Sequence, residues 1–251
     1  MQETSNVTAD LFPRVRSWWW SAAGIWLFAA TIWAGFALTL MRGPDPDPVV
    51  GRTVNPPPDN VLVTVSAGIH YLLGPVGATL IVIVICLYLL WFRRWPTQAL
   101  AFASIVIAGW LASTSAKMVV ARPRPSTAST YPFITETGNT SFPSGHTAFA
   151  AALVIAITLV VARSKAARTS SLIFGSLFVA VVAFSRVYLG VHYVSDVIAS
   201  VVVVVAATLI WVPIWNIVLT PRLPAGPLRR RDRLKKRQLP IKRSSNNNGI
   251  S

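Results

Sequence analysis

Long apolar runs, separated by short polar or basic stretches, make up most of the chain. The first begins at Trp18 and continues to Met41. Others follow at about 75–92, 97–120, 144–162, 170–189 and 193–219. A helix rises about 1.5 Å per residue, so roughly 20 apolar residues cross a hydrocarbon layer of about 30 Å. Backbone polar groups in lipid must be satisfied within their own segment, which makes helices of such runs. The pattern therefore predicts an all-α membrane protein with six transmembrane helices.

The intervening stretches refine that picture. Residues 42–60 are rich in Pro, Asp and Gly and read as a loop. After them, Asp59 is placed to cap a short helix from Asn60 to about Leu73. That helix is apolar but short, carries His70, and is broken from the next run by Gly74-Pro75. It reads as an extracytoplasmic interfacial or re-entrant helix before span two. His70 reads as a packing or interface residue. Trp18, Trp19 and Trp20 suit an aromatic anchor at the membrane–water interface. The run behind them is too long for a signal-peptide core and is followed by no small-residue cleavage site, so it reads as a retained span. The expected organisation is an N-terminus at 1–17, a six-span domain at 18–219, and a basic, partly disordered tail at 220–251.

Composition supports the membrane assignment. The chain of 251 residues is 53% hydrophobic and only 12% charged, about half the charge of a soluble domain. The formal net charge of +15 raises the possibility of nucleic-acid binding. The distribution of the basic residues argues against it, because they gather between and after the apolar runs. Seventeen of the 23 Lys and Arg fall on the side of the termini, and six on the other. The positive-inside rule then puts both termini in the cytoplasm, with the tail free to touch anionic headgroups. The single cysteine, Cys86, lies inside an apolar run and excludes an intramolecular disulfide.

Four of the six outer basic residues sit at span ends, where topology does not require them. Lys117 closes span three, Arg122 and Arg124 follow it, and Arg186 closes span five. His146 opens span four in the run Pro143-Ser144-Gly145-His146, and His192 and Asp196 open span six. An even number of crossings separates these ends, so they converge at the extracytoplasmic face. Several cations, two histidines and a carboxylate at one surface suit a phosphate. Arg and Lys neutralise phosphoryl oxygens. The helix start at Ser144 and Gly145 offers unpaired N–H groups, and Gly145 allows close approach. Ser144 also suits an N-cap. On a helix, His192 and Asp196 share a face, and the carboxylate would fix the imidazole tautomer. Of the outer acids Asp45, Asp47, Asp59, Glu136 and Asp196, only the last lies in this set. No carboxylate cluster for a two-metal centre is visible.

On these residues the chain resembles the type 2 phosphatidic acid phosphatase (PAP2) superfamily of membrane lipid phosphatases. The family pattern K-x6-R-P is met by Lys117 through Arg124-Pro125, P-S-G-H by Pro143 through His146, and S-R-x5-H-x3-D by Ser185, Arg186, His192 and Asp196. Arg122-Pro123 has a spacing two short, which makes Arg122 secondary. The resemblance covers about residues 60–215, with its core motifs at 117–196. It implies that His192 attacks phosphorus to form a phosphohistidine, that Asp196 orients His192, and that His146 protonates the leaving group and then activates water. Lys117, Arg124, Arg186, Ser144 and Gly145 would hold the phosphoryl oxygens, with no metal or other cofactor. The implied substrate is a lipid phosphate or diphosphate in the bilayer. Polyprenyl diphosphate ranks first, followed by phosphatidylglycerophosphate, phosphatidate and diacylglycerol pyrophosphate. A phosphotransferase using the same site and a non-catalytic lipid-binding protein are the alternatives.

Overall fold

A computed structural model describes residues 17–41, 60–125, 134, 136 and 138–220. The expectations for the N-terminus before residue 17, the loop at 42–59 and the tail from 221 fall outside the described residues. Within them the protein is helical, and its only β pairing is an isolated bridge between Pro123 and Thr140.

Helix α1 spans Trp18–Leu40, with the Ser17 side chain accepting from Trp19 N at its start. Helix α2 spans Val61–Leu73 and α3 spans Pro75–Trp91. The α2 cap is Asn60, whose side chain accepts from Leu62 N, one residue later than expected. Proline cannot donate to the preceding turn, and the chain bends by 61° between α2 and α3 at Gly74-Pro75. Helix α4 covers Pro96–Val120 and ends on Ala121 in the left-handed conformation. Helix α5 covers Gly145–Ala156 and runs into a π-helical turn at Ile157–Val161. Helix α6 covers Lys165–Tyr188, starting earlier than the apolar run because Ser164 caps it through Ala167 N. Helix α7 covers Val194–Ile214 and ends in a second π-helical turn at Trp215–Leu219.

Among the described residues, four helices are long and apolar enough to cross a membrane: α1, α4, α6 and α7 with its final turn. The bent pair α2–α3 passes the same test as one unit, and Gly145–Val161 is apolar but shorter. Large apolar side chains such as Trp26 and Trp33 on α1, and Ile173 and Phe174 on α6, point outward. That suits a lipid solvent, which imposes no penalty on exposed apolar surface. These helices make the chain a multi-pass membrane protein.

The interior is built around α4, α5 and α7. Phe102, Ile105, Ala148, Phe149, Val204 and Trp215 pack in its core. Small residues let the helices approach. A Cβ at Gly109 would meet Ala152 at 3.0 Å and Val204 at 3.3 Å. Helix α1 packs along α7, and α6 packs against α5. This arrangement gathers the C-terminal end of α4 and the N-terminal ends of α5 and α7 at one end of the bundle.

Candidate active site

The start of α7 sets the central pair. Its first turn is closed by Asp196, whose Oδ2 accepts from Tyr193 N at 3.0 Å. The same oxygen lies 3.3 Å from His192 Nδ1. His192 therefore stands just outside the helix, and a capping contact rather than a shared helix face brings the pair together. Gly190, at φ 71°, makes the left-handed turn that leads into it, a conformation that disfavours other residues. Asp196 Oδ1 takes Arg122 Nη1 at 3.1 Å. The Arg122 guanidinium lies 3.8 Å over the Tyr193 ring and also reaches Ser195 Oγ at 2.6 Å. Arg122, secondary by motif spacing, is thus the cation that balances the fully buried Asp196.

These contacts fix the His192 tautomer. A carboxylate can only accept, so Nδ1 carries the proton. Arg124 Nη1 lies 3.4 Å from Nε2, and a guanidinium can only donate, so Nε2 presents its lone pair. Burial pushes the His192 pKa down, against the pull of Asp196. The ring is neutral near pH 7, as a nucleophile must be.

Around Nε2 lies a cavity of about 480 Å³ whose walls include Lys117, Arg124, Gly145, His146 and His192. Arg124 is held by backbone: Nε donates to Gly138 O at 2.6 Å and Nη1 to Val191 O at 2.9 Å. Lys117 Nζ donates to Thr140 O at 3.1 Å and Ser141 O at 3.2 Å, which leaves one of its three protons for a ligand. A Cβ at Gly145 would meet nothing within 4 Å, so the α5 N-terminus opens freely onto the cavity. Ser144 is buried, and its side chain does not cap α5. Its oxygen instead accepts from Thr147 Oγ1 at 3.3 Å. Its backbone ties the two helix starts together: Ser144 N donates to Asp196 O at 3.3 Å, and Ser200 Oγ lies 2.9 Å from Ser144 O.

His146 Nε2 lies 3.0 Å from His70 O. A carbonyl only accepts, so this nitrogen carries a proton. The His146 and His70 rings stack at 4.9 Å. Arg186 is fully buried and is not among the cavity-lining residues. Its Nη1 donates to His70 Nδ1 at 3.0 Å and its Nη2 to Ser66 O at 2.7 Å. Five of the eight expected site residues therefore line one cavity, while Asp196, Ser144 and Arg186 stand behind it. His70 and Glu136 line the cavity too, although sequence reasoning gave neither a part in the chemistry. Glu136 Oε2 lies 3.4 Å from Arg124 Nη2. The available signals were an ionisable residue in an apolar segment for His70, and an acid ten residues before His146 for Glu136.

His70, Glu136 and His146 have ligand atoms within 4.8 Å of one another, the spacing of a metal site. The donor set fits a cation poorly. The Nδ1 lone pair of His70 is taken by Arg186, and an ion there would face that guanidinium at close range.

The chemistry available is therefore a neutral imidazole backed by a carboxylate, beside a lysine, an arginine, a second imidazole and an open helix N-terminus. Residues 97–219 match the family model described as PAP2 superfamily. Among solved structures, the fold is similar to that of the first transmembrane PAP2 type phosphatidylglycerolphosphate phosphatase from Bacillus subtilis. The identity is 20% and the TM-score 0.52, over 82% of this chain and 96% of that one. No curated protein matches the sequence.

Proposed function

We propose that this chain, whose residues 97–219 form a PAP2 superfamily domain, is an integral membrane lipid phosphatase that works without a metal ion. The observation that carries this is the His192 Nε2 lone pair, backed by Asp196 through Nδ1 and facing a cavity with Arg124 and Lys117 on its wall. His192 attacks phosphorus in line and forms a phosphohistidine, while Asp196 offsets the charge that develops on the ring. His146 acts as the imidazolium, protonated at both ring nitrogens: it gives the Nε2 proton to the leaving oxygen, and the lone pair left on the neutral ring then takes a proton from the attacking water. The leaving oxygen must first replace the His70 carbonyl as the partner of that nitrogen. Phosphoryl transfer is loose, so positioning and charge stabilisation by Arg124, Lys117 and the α5 N-terminus supply most of the catalysis.

In this reading α1, the α2–α3 pair, α4, Gly145–Val161, α6 and α7 are six crossings, with α2 lying at the outer interface. Both termini are cytoplasmic and the site faces outward, a reading that the Lys and Arg distribution supports. The favoured substrate is a polyprenyl diphosphate, whose hydrolysis would recycle a carrier lipid of envelope synthesis. A phosphatidylglycerophosphate, the substrate in the name of the Bacillus subtilis neighbour, follows, then phosphatidate and diacylglycerol pyrophosphate. The test is phosphate release in detergent from a panel of lipid mono- and diphosphates with EDTA present. Activity that survives His192→Ala, or that EDTA abolishes, would overturn the mechanism.

A further inference from the structure

Glu136 is the only acidic residue described on the cavity wall, and its two oxygens differ. Oε2 faces Arg124 Nη2 at 3.4 Å, whereas Oε1 is buried with no hydrogen-bond partner. His70 Nδ1 stands 3.5 Å from Oε1. That nitrogen already accepts from Arg186 Nη1 at 3.0 Å, so it has no proton to give. A buried carboxylate oxygen without a donor is costly. Inside a cavity built for a ligand, it marks where a donor on that ligand belongs.

The position says which donor. Glu136 leans on Arg124, the guanidinium that also faces His192 Nε2, so it borders the seat of the phosphoryl group itself. Burial alone would raise the Glu136 pKa, but the positive charge around it, that of Arg124 first, outweighs burial and holds the carboxyl below its usual range. Lys117 and, behind His70, Arg186 add positive charge nearby. Glu136 is ionised at neutral pH. A phosphate dianion would set two anions face to face, whereas a monoanion carries a P–OH.

We infer that Glu136 selects the singly protonated form of the substrate's phosphoryl group: Oε1 accepts the P–OH hydrogen while Arg124 and Lys117 hold the other oxygens. This rests on the phosphatase reading above and adds a specificity-determining residue outside the three motifs. The class selected is a terminal phosphate whose second ionisation lies near neutrality, about pH 6 for a phosphate ester.

The probes are two non-hydrolysable alkyl phosphonates of one chain length, a methylene and an α,α-difluoromethylene compound. The fluorinated one has the lower second pKa and is mostly dianionic at pH 7. Binding is measured by calorimetry on the full-length protein in detergent. The wild type should bind the methylene compound about tenfold tighter or more, and Glu136→Gln should bring the two within about twofold. The wild type alone supplies a second check. Its Kd for the methylene compound should rise with pH above that compound's second pKa, and a Kd that stays flat or falls overturns the inference. Equal discrimination by both proteins overturns it as well. So does a Glu136→Gln enzyme that keeps the discrimination but accumulates phosphohistidine, since the carboxylate would then serve the attacking water. Discrimination without any release of phosphate from lipid substrates would sink the phosphatase reading and leave this inference standing. Release without discrimination would do the reverse.

Discussion

Replacing Asp196 by Asn changes the charge of the site with almost no change of shape. Three donors converge on the carboxylate: His192 Nδ1 and Tyr193 N on Oδ2, and Arg122 Nη1 on Oδ1. An amide offers one accepting oxygen and one donating nitrogen. If its oxygen takes the Oδ2 position, His192 keeps its tautomer, but the nitrogen then points at Arg122 and the negative charge is gone. A unit charge about 4 Å from the forming phosphoimidazolium, at an effective dielectric of about 20, is worth about 4 kcal/mol, or about 10³ in rate. If the amide nitrogen takes that position instead, the backbone N–H of Tyr193 opposes it and His192 must move its proton to Nε2, which removes the nucleophile. The corresponding Asp→Asn change in a Ser-His-Asp triad costs about 10⁴ in kcat. The prediction for Asp196→Asn is thus a fall in kcat of about 10³ to 10⁴, with KM changed far less. The assay is phosphate release in detergent beside a thermal melt. A folded variant that keeps a tenth of the wild-type kcat would refute both the tautomer argument and the assignment of His192.

Four further predictions follow from the same geometry. Arg122→Met leaves the buried Asp196 without its cation, so it should destabilise the protein by about 3–5 kcal/mol and lower kcat, read from a melt and turnover; an unchanged melt refutes the pairing. Because burial holds the His192 pKa down, the neutral nucleophile persists as pH falls below the ordinary histidine value of about 6.5. The acid limb of kcat/KM should therefore lie below that value, and a limb at or above it contradicts the tautomer reading. Gly145→Ala should leave the melting temperature unchanged, since its Cβ meets nothing within 4 Å, yet raise KM by crowding the anion seat; an unchanged KM places the phosphate elsewhere. Gly35→Ala puts a Cβ 2.7 Å from Phe142 and 2.9 Å from Val120. It should destabilise by about 1–3 kcal/mol at unaltered KM, and an unaltered melt would count against the placement of α1.

The parts of the site that could be read in the sequence are those carried by local patterns. Apolar runs mark the helices, and the charged residues at their ends either line one cavity or stand behind it. Lys117, Arg124, Gly145, His146 and His192 share a cavity wall. The residues that were missed depend on contacts distant in sequence. His70 and His146 are 76 residues apart, and nothing local to either indicates that α2 folds back over α5. Arg122 looked redundant beside Arg124 because spacing does not reveal which of two arginines turns inward to Asp196. Arg186 was expected among the phosphoryl ligands because every cation near the site attracts an anion. In the structure its donors go to His70 and Ser66, which makes it a support for the wall. Gly145–Val161 is shorter than the helices long enough to cross a membrane, a difference that hydropathy alone hides.

The corner at Gly74-Pro75 gives the cavity much of its apolar rim: Tyr71, Leu73, Pro75, Val76 and Ala78 all come from the two helices that meet there. Those helices precede the segment that holds His146, His192 and Asp196. On the proposed reading, the surface offered to a lipid tail and the groups offered to its phosphate come from successive blocks of sequence, and His70, which meets both His146 and Arg186, is where the two are joined.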